Sequence, residues 1–243
     1  MNLLEFKDVK KSFAKKEVLK GISFSVKKGE IFGLIGLSGG GKTTLFNILT
    51  GLVTKDSGDI FFENEKIEKN LEKFRKGWGF ATQSNMIFEE LSTKENSEYF
   101  GSLYGLSKKD VIKRFNSLIE LFKLQSFEDT LVRNLSGGMK KRSNLLISLI
   151  HSPTLLILDE PTVGLDPVLR ASLWKYIKEI NKAGTTILVS SHLIDEIEEN
   201  CDNVAIIKKG KIFSSAKPKE YLEKYKYKTL QQIFEVIMQN ENI

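Results

Sequence analysis

The chain has a single cysteine, Cys201, among its 243 residues, so no internal disulfide can form and a reducing, cytoplasmic setting is expected. It also lacks any long apolar run: nothing approaches the roughly 20 consecutive residues that a membrane-crossing helix needs. A secretory leader is not expected, because Met1-Asn2-Leu3-Leu4-Glu5-Phe6 carries an early charge and then alternates like a strand. Internal repeats and low-complexity linkers are missing too, which points to lobes of one unit. Charge of one sign is not segregated. The 37 basic residues outnumber the 31 acidic ones, for a net +6, but the lysines are scattered and interleaved with glutamates. That pattern fits a solvated surface better than a nucleic-acid stripe, so no nucleic-acid partner is expected. A hydrophobic content of 41% beside 28% charged residues is ordinary for a soluble globular protein with a real core.

What is present is a glycine-rich stretch, Gly36-Leu37-Ser38-Gly39-Gly40-Gly41-Lys42-Thr43-Thr44. It fits G-x-x-x-x-G-K-[ST], and its flanks fit the context that pattern requires. Upstream, Glu30 to Ile35 is a short apolar run that reads as a buried strand. Downstream, Thr44 to Thr50 has helical spacing and stops at Gly51, a plausible residue just past a helix end. Strand, glycine turn and helix start together make an anion site: the glycines let successive N–H groups point inward, and the helix N-terminus adds partial positive charge. Lys42 can then reach β- and γ-phosphates, and the Thr43 hydroxyl can ligate Mg²⁺. A glycine turn without a ligand is the alternative, but every fixed position of the pattern is filled.

A second constellation is Leu155-Leu156-Ile157-Leu158-Asp159-Glu160. An unbroken apolar run is what a strand buried on both faces of a parallel sheet looks like. It delivers two carboxylates at its carboxyl end, where open α/β sheets bind ligands. Alone, such a pair reads as a solvated strand end. Behind a phosphate loop, Asp159 reads as a Mg²⁺ ligand and Glu160 as the group that polarises an attacking water. A third is Asn134-Leu135-Ser136-Gly137-Gly138-Met139-Lys140-Lys141-Arg142, with Ser136 fitting the N-cap of a helix. On spacing alone an ordinary Ser-Gly-Gly cap is the simpler reading. If it binds anion, it can help only by approaching the γ-phosphate from the side opposite the loop. A second copy of the chain is the natural supplier, which predicts a dimer with two ATP molecules between chains.

Taken in order, Leu4 to Val9, Val18-Leu19 and Ile22 to Val26 read as strand pieces, followed by strands at Asp59 to Glu63 and Trp78 to Thr82. Helical spacing then takes over at Asn96 to Tyr104, Lys109 to Phe122 and Gly138 to Ile150. Alternation returns with strand Leu155 to Leu158, helix Val168 to Ile180, strand Thr185 to Val189, helix Leu193 to Glu199, and strands at Asn203 to Ile207 and Lys211 to Phe213. Helices near Lys217 to Lys226 and Thr229 to Met238 close the chain. The expected fold class is α/β: a P-loop NTPase core with an antiparallel β edge and an inserted α-helical subdomain. The expected boundaries are 1–92 with 153–215 for the core, 93–152 for the helical subdomain and 216–243 for the C-terminal helices.

This order of motifs resembles the nucleotide-binding subunit of an ATP-binding-cassette transporter, over essentially the whole chain. Leu135-Ser136-Gly137-Gly138 is similar to the signature that separates that family from other P-loop NTPases. The resemblance implies that Phe13 stacks on adenine, and that Gln83 reports on Mg²⁺ and the membrane partner. It implies that Asp166 makes dimer contacts and that His192 acts on the γ-phosphate; without it, His192 reads as a strand-end histidine of no particular role. The implied catalytic set is Glu160, His192 and Lys42. Nucleotide contacts would come from Phe13, Gly36, Ser38, Gly39, Gly40, Gly41, Lys42, Thr43, Thr44, Gln83, Ser136, Gly137, Gly138 and Asp166, and Mg²⁺ ligands from Thr43, Gln83 and Asp159.

The chain departs from the family pattern at Phe13, where tyrosine is usual, at Lys141, where glutamine is common, and at Ser143-Asn144, which make that turn more polar. Stacking needs only a ring face, so base binding should survive, while the polar pair puts surface packing in question. Gly164-Leu165-Asp166-Pro167, Leu173-Trp174, the stretch from Glu196 to Asp202 and the tail from Thr229 to Phe234 look most like exporter-type cassettes. The resemblance implies ATP and Mg²⁺ as cofactors, and a second copy or a paralogous cassette as partner. It also implies a separate polytopic permease that holds the chain at the inner face of the membrane. A soluble cassette ATPase without transport, in assembly or translation, is the alternative. Met86-Ile87-Phe88, just after Gln83, are expected to be exposed together as a docking surface for a permease helix.

Overall fold

The computed structural model describes residues 1–69, 71–82 and 86–239. Two twelve-residue strands open the chain, β1 (Asn2–Phe13) and β2 (Lys16–Lys27). Then come β3 (Ile31–Ile35), α1 (Lys42–Leu49), β4 (Ser57–Phe62), β5 (Glu65–Lys66), α2 (Leu71–Lys76) and β6 (Trp78–Ala81). A helical stretch follows: α3 (Thr93–Leu103), α4 (Lys108–Leu121) and α5 (Gly137–Ser148), before β7 (Leu155–Asp159) and α6 (Pro167–Lys182). The remainder is β8 (Thr186–Ser191), α7 (Ile194–Asn200), β9 (Asn203–Lys208), β10 (Lys211–Ala216), α8 (Pro218–Tyr225) and α9 (Leu230–Gln239). The chain divides into two compact units, residues 1–74 with 186–243, and residues 75–185.

In the first unit an antiparallel sheet runs in the order β2-β1-β4-β5, and a second sheet holds β10-β9-β3-β8. The three separate strand pieces expected near the N-terminus are parts of the two long strands of one hairpin, whose pairing shifts register at several points. Phe6, Phe24 and Phe32 stack in series, with centroid separations of 4.6 and 5.3 Å, and so tie the antiparallel sheet to β3. All five residues of β3 are buried, which is why the strand reads as a continuous apolar run. It lies parallel to both β8 and β9, with Ile35 opposite Ser191 on one side and Ile206 on the other. The chain segments that follow β3 and β8 therefore leave the sheet at the same level, while β9 runs on two residues further.

In the second unit β6 pairs parallel with β7. A Cβ on Gly79 would strike the Ser148 carbonyl, so β6 must pass α5 closely. The helices start where their caps dictate. Ser92 and Glu95 form a capping box at α3, Ser107 caps α4, Ser136 caps α5, and Asp166 with Pro167 starts α6. Each such cap contributes about 1 kcal/mol. Helix α4 buries Val111, Phe115, Leu118 and Ile119, an i, i+4, i+7, i+8 stripe worth roughly 2 kcal/mol per side chain. Among the described residues no helix is long and apolar enough to cross a membrane.

Candidate functional site

The glycine-rich loop links β3 to α1, and its geometry explains its residues. A Cβ on Gly36 would strike Ile207, and one on Gly40 would lie 2.9 Å from the Leu37 carbonyl oxygen. Gly41 has φ of 103°, and a side chain there would also meet Leu19 at 2.6 Å. The loop thus packs closely at Gly36, Gly40 and Gly41, which helps its N–H groups approach a phosphate. Gly41 caps α1 without any side-chain hydrogen bond, so the first turn is not completed by its own sequence. Lys42 is buried, and its ammonium donates to the carbonyls of Gly36 (2.8 Å) and Leu37 (3.4 Å). Its charge is held at the loop itself. Ser38, Gly39 and Thr43 are exposed, with Thr44 partly so, and Gly51 follows α1 at φ of 75° as expected.

The β3–β8 register brings another sequence-derived residue to this loop. Ile35 pairs with Ser191, so Gly36 and His192 follow directly from paired positions on adjacent parallel strands. His192 is exposed, and the turn behind it is fixed by Leu193 N–H donating to the Ser191 hydroxyl at 2.9 Å. Phe13, at the end of β1, is 46% exposed. Phe13, Gly36, Ser38 to Thr44 and His192 therefore all belong to the first unit.

The second unit holds the other candidates. Asp159 ends β7 with its carboxylate buried, and Ala81 pairs with Leu158 one step earlier. Glu160 then takes φ of 50°, in the left-handed region. A non-glycine residue there costs about 1 kcal/mol or more and turns the chain sharply, so successive carboxylates are aimed differently. Ala14, Asn64 and Lys209 take positive φ at hairpin turns, Lys226 at a helix end and Asp8 at an irregularity within β1, whereas Glu160 sits at the mouth of a buried strand. Asp166 is exposed, and its carboxylate accepts from Val168 N–H (2.9 Å) and Leu169 N–H (3.0 Å) at the start of α6. One turn on, the Leu169 side chain lies against Gly138, where a Cβ would stand 2.9 Å away. This packing puts the Ser136-Gly137-Gly138 helix start beside the helix that Asp166 caps. The Ser136 hydroxyl accepts from Met139 N–H at 3.3 Å.

Gln83 lies outside the described residues. After it, the expected run of three exposed apolar residues is corrected: Met86 and Phe88 are 56% and 44% exposed, but Ile87 is only 7% exposed. Asn96 forces this alternation. Its side chain accepts from Phe88 N–H (2.9 Å) and donates to the Phe88 carbonyl (3.0 Å), pinning the segment flat on α3. The polar pair expected to loosen surface packing is interior instead. Ser143 is buried and shares a 2.9 Å hydrogen bond with Thr93, and Asn144 accepts from Met86 N–H at 3.4 Å.

Sequence reasoning gave no notice of His151. Its ring stacks on Tyr104 at 3.6 Å with 6° between planes, and Nε2 lies 2.8 Å from the Trp78 carbonyl. Burial, reinforced by Arg114 and opposed by that hydrogen bond, pushes its pKa down to about 4.

Among the described residues no cluster of three or more His, Cys, Asp or Glu could cage a metal. The Thr43 hydroxyl in the first unit is exposed and the Asp159 carboxylate in the second is buried; each is a hard oxygen donor, the ligand type that Mg²⁺ takes.

A protein-family model described as "ABC transporter" matches residues 19–163. A linearmycin resistance ATP-binding protein of Bacillus subtilis (strain 168) is 38% identical over 212 residues, covering 87% of this chain and 68% of that protein. A Nod factor export ATP-binding protein I of Rhizobium sp. (strain N33) is 36% identical over 222 residues, 91% of this chain and 73% of that one. A solved structure of the ATP-binding subunit of an ABC transporter superposes with a TM-score of 0.87 at 27% identity, covering 97% of this chain and 99% of the other. The chain therefore belongs to the ABC transporter family, as an ATP-binding subunit of the kind that hydrolyses ATP to drive transport.

Proposed function

We propose that two copies of this chain, or one copy and a paralogous cassette, sandwich two MgATP molecules and hydrolyse them to drive a separate polytopic membrane subunit in export. The observation that carries the reading is the start of α1, where a loop of minimal volume presents a helix end that no side chain of its own caps. Lys42 neutralises charge on the β- and γ-phosphates, and Phe13 offers a ring face to the adenine. Thr43 and Asp159, with Gln83, would hold Mg²⁺, which when bound neutralises charge on the phosphate oxygens. Glu160 polarises the attacking water and takes its proton, and His192 donates toward the γ-phosphate. Ser136, Gly137 and Gly138 approach that phosphate from the second copy, with Asp166 at the contact between copies.

The membrane subunit is supported by a surface. Met86 and Phe88 are exposed, and Phe88 packs edge-on to exposed Tyr99 (5.1 Å) and stacks on Phe100 (5.9 Å). A contiguous aromatic patch of this kind suits the apolar face of a short cytoplasmic helix of a permease. The relatives named for resistance and export support the outward direction. On this reading the chain is peripheral at the inner face of the cell membrane.

The test is Glu160→Gln, which keeps shape but removes the charge that polarises water. Hydrolysis should fall by roughly 10²-fold or more, while MgATP still binds and traps a dimer in size-exclusion chromatography. A variant that binds MgATP and stays monomeric would refute the sandwich.

A further inference from the structure

The family pattern has a tyrosine where this chain has Phe13, a ring with no hydroxyl to hold it. A half-exposed phenyl ring depends for its orientation on what lies against its faces. Here one face is occupied. The Lys11 ammonium stands 5.3 Å from the Phe13 ring centroid, within cation–π range. Lys11 and Phe13 are two residues apart on β1, so the pleat puts both side chains on one side of the strand.

The lysine is itself held. Asp56 accepts from the Lys11 ammonium at 2.8 Å and from the Ser12 N–H at 2.6 Å, and its own N–H donates to the Lys10 carbonyl at 2.9 Å. These bonds to Lys11 and Ser12 hold the Asp56 carboxyl below the usual carboxylate range. The Lys11 side chain keeps only 15% of its surface exposed, less than a solvated lysine does. Asp56 also has a telling address: it closes the segment that runs from the end of α1 to β4. The helix that begins at the phosphate loop is thus continuous with the residue that anchors the brace under Phe13.

We propose that Lys11 is a positioning residue for the nucleobase: clamped by Asp56, it braces one face of Phe13 so that the other is presented to adenine. The cation also draws π density to its own side of the ring, and the open face becomes a better partner for an electron-rich purine. This inference rests on the assignment of Phe13 to the base, and the test separates the two.

Binding of MgATP and of Mg²⁺-tripolyphosphate, which has the phosphates but no base, is measured by isothermal titration. The variants are Phe13→Ala, Lys11→Met, Lys11→Arg and Asp56→Asn. Lys11→Met keeps the length of the side chain and should weaken MgATP by about 2- to 5-fold, the scale of an exposed cation–π contact, and leave tripolyphosphate unchanged. Lys11→Arg should restore MgATP binding, since guanidinium also stacks on aromatic faces. Asp56→Asn, which leaves both ring and cation in place, should lower the ratio of MgATP to tripolyphosphate affinity in the same direction. An equal loss for both ligands in Lys11→Met would overturn the proposal in favour of a plain charge effect. No loss in Lys11→Met together with a loss in Phe13→Ala would overturn the brace but keep the base site. No loss in Phe13→Ala would remove the base assignment, and the proposal with it.

Discussion

Helices α1 and α5 both follow a serine trailed by consecutive glycines, yet their first turns are completed differently. At α1 the cap is Gly41, with no side-chain acceptor, and the adjoining cation Lys42 folds back on the loop carbonyls. At α5 the cap is Ser136, whose hydroxyl accepts from Met139 N–H. Four N–H groups at the start of any helix need partners. The first helix leaves that role to an anion, while the second supplies part of it from its own sequence. On the proposed reading, the first start binds an anion within a single chain. The other is a stable cap whose hydroxyl and glycine N–H groups can serve a ligand presented by another molecule.

The largest effect should come from the uncapped start. Lys42→Ala removes a charged donor and should weaken MgATP roughly 100-fold, at the upper end for a charged hydrogen-bonding group. Near-normal affinity by isothermal titration would show that α1 and α5 do not differ in the way described.

The next effect tests what holds the far end of α5, where His151 follows the helix, stacked on Tyr104. Its depressed pKa means that the fold keeps the ring neutral, while the unfolded chain takes up the proton first as pH falls below about 6.5. The contribution is therefore intact above that pH and is lost as pH approaches 4. Between pH 7 and 4.5 the wild-type chain should lose about 2 kcal/mol more stability than His151→Phe, which keeps the stack but cannot be protonated. Urea unfolding at the two pH values measures the difference. Parallel losses would place the acid sensitivity elsewhere.

The smallest effect should come from the capped start. Ser136→Ala should cost about 1 kcal/mol of stability in urea unfolding. It should leave MgATP affinity of the isolated chain unchanged and slow hydrolysis in proportion to its role across the dimer. A drop in single-chain affinity would mean that α5 binds nucleotide without a second copy.

Much of this was legible from residue order, because the relevant physics is local. The phosphate loop is a run of neighbours, the Ser136 hydroxyl caps its helix through the N–H three residues on, and the apolar runs at Ile31–Ile35 and Leu155–Asp159 announce strands buried on both faces. Short or non-periodic pieces were not legible. Helix α2 is six residues long with too few apolar positions to show a period, and β5 is two residues long. Lys10-Lys11-Ser12 break the alternation of β1, which is extended there by pairing with β2 and β4.

The sequence by itself determined the chemical inventory: a glycine loop with Lys42 and Thr43, two carboxylates after an apolar strand, and a serine-capped glycine helix. Each is a short-range pattern whose parts touch because they are neighbours in the chain. Tertiary structure decided the meanings that depend on distant partners. Asn96 turns Ile87 inward and leaves Met86 and Phe88 exposed, and Thr93 makes Ser143 an interior residue. The parallel register of β3 and β8 carries His192 to the level of Gly36, and Asp56 holds Lys11 beneath Phe13. Those partners are 8 to more than 150 positions apart, as Asn96–Phe88 and Ile35–Ser191 show, and no local pattern of residues encodes which of them will meet.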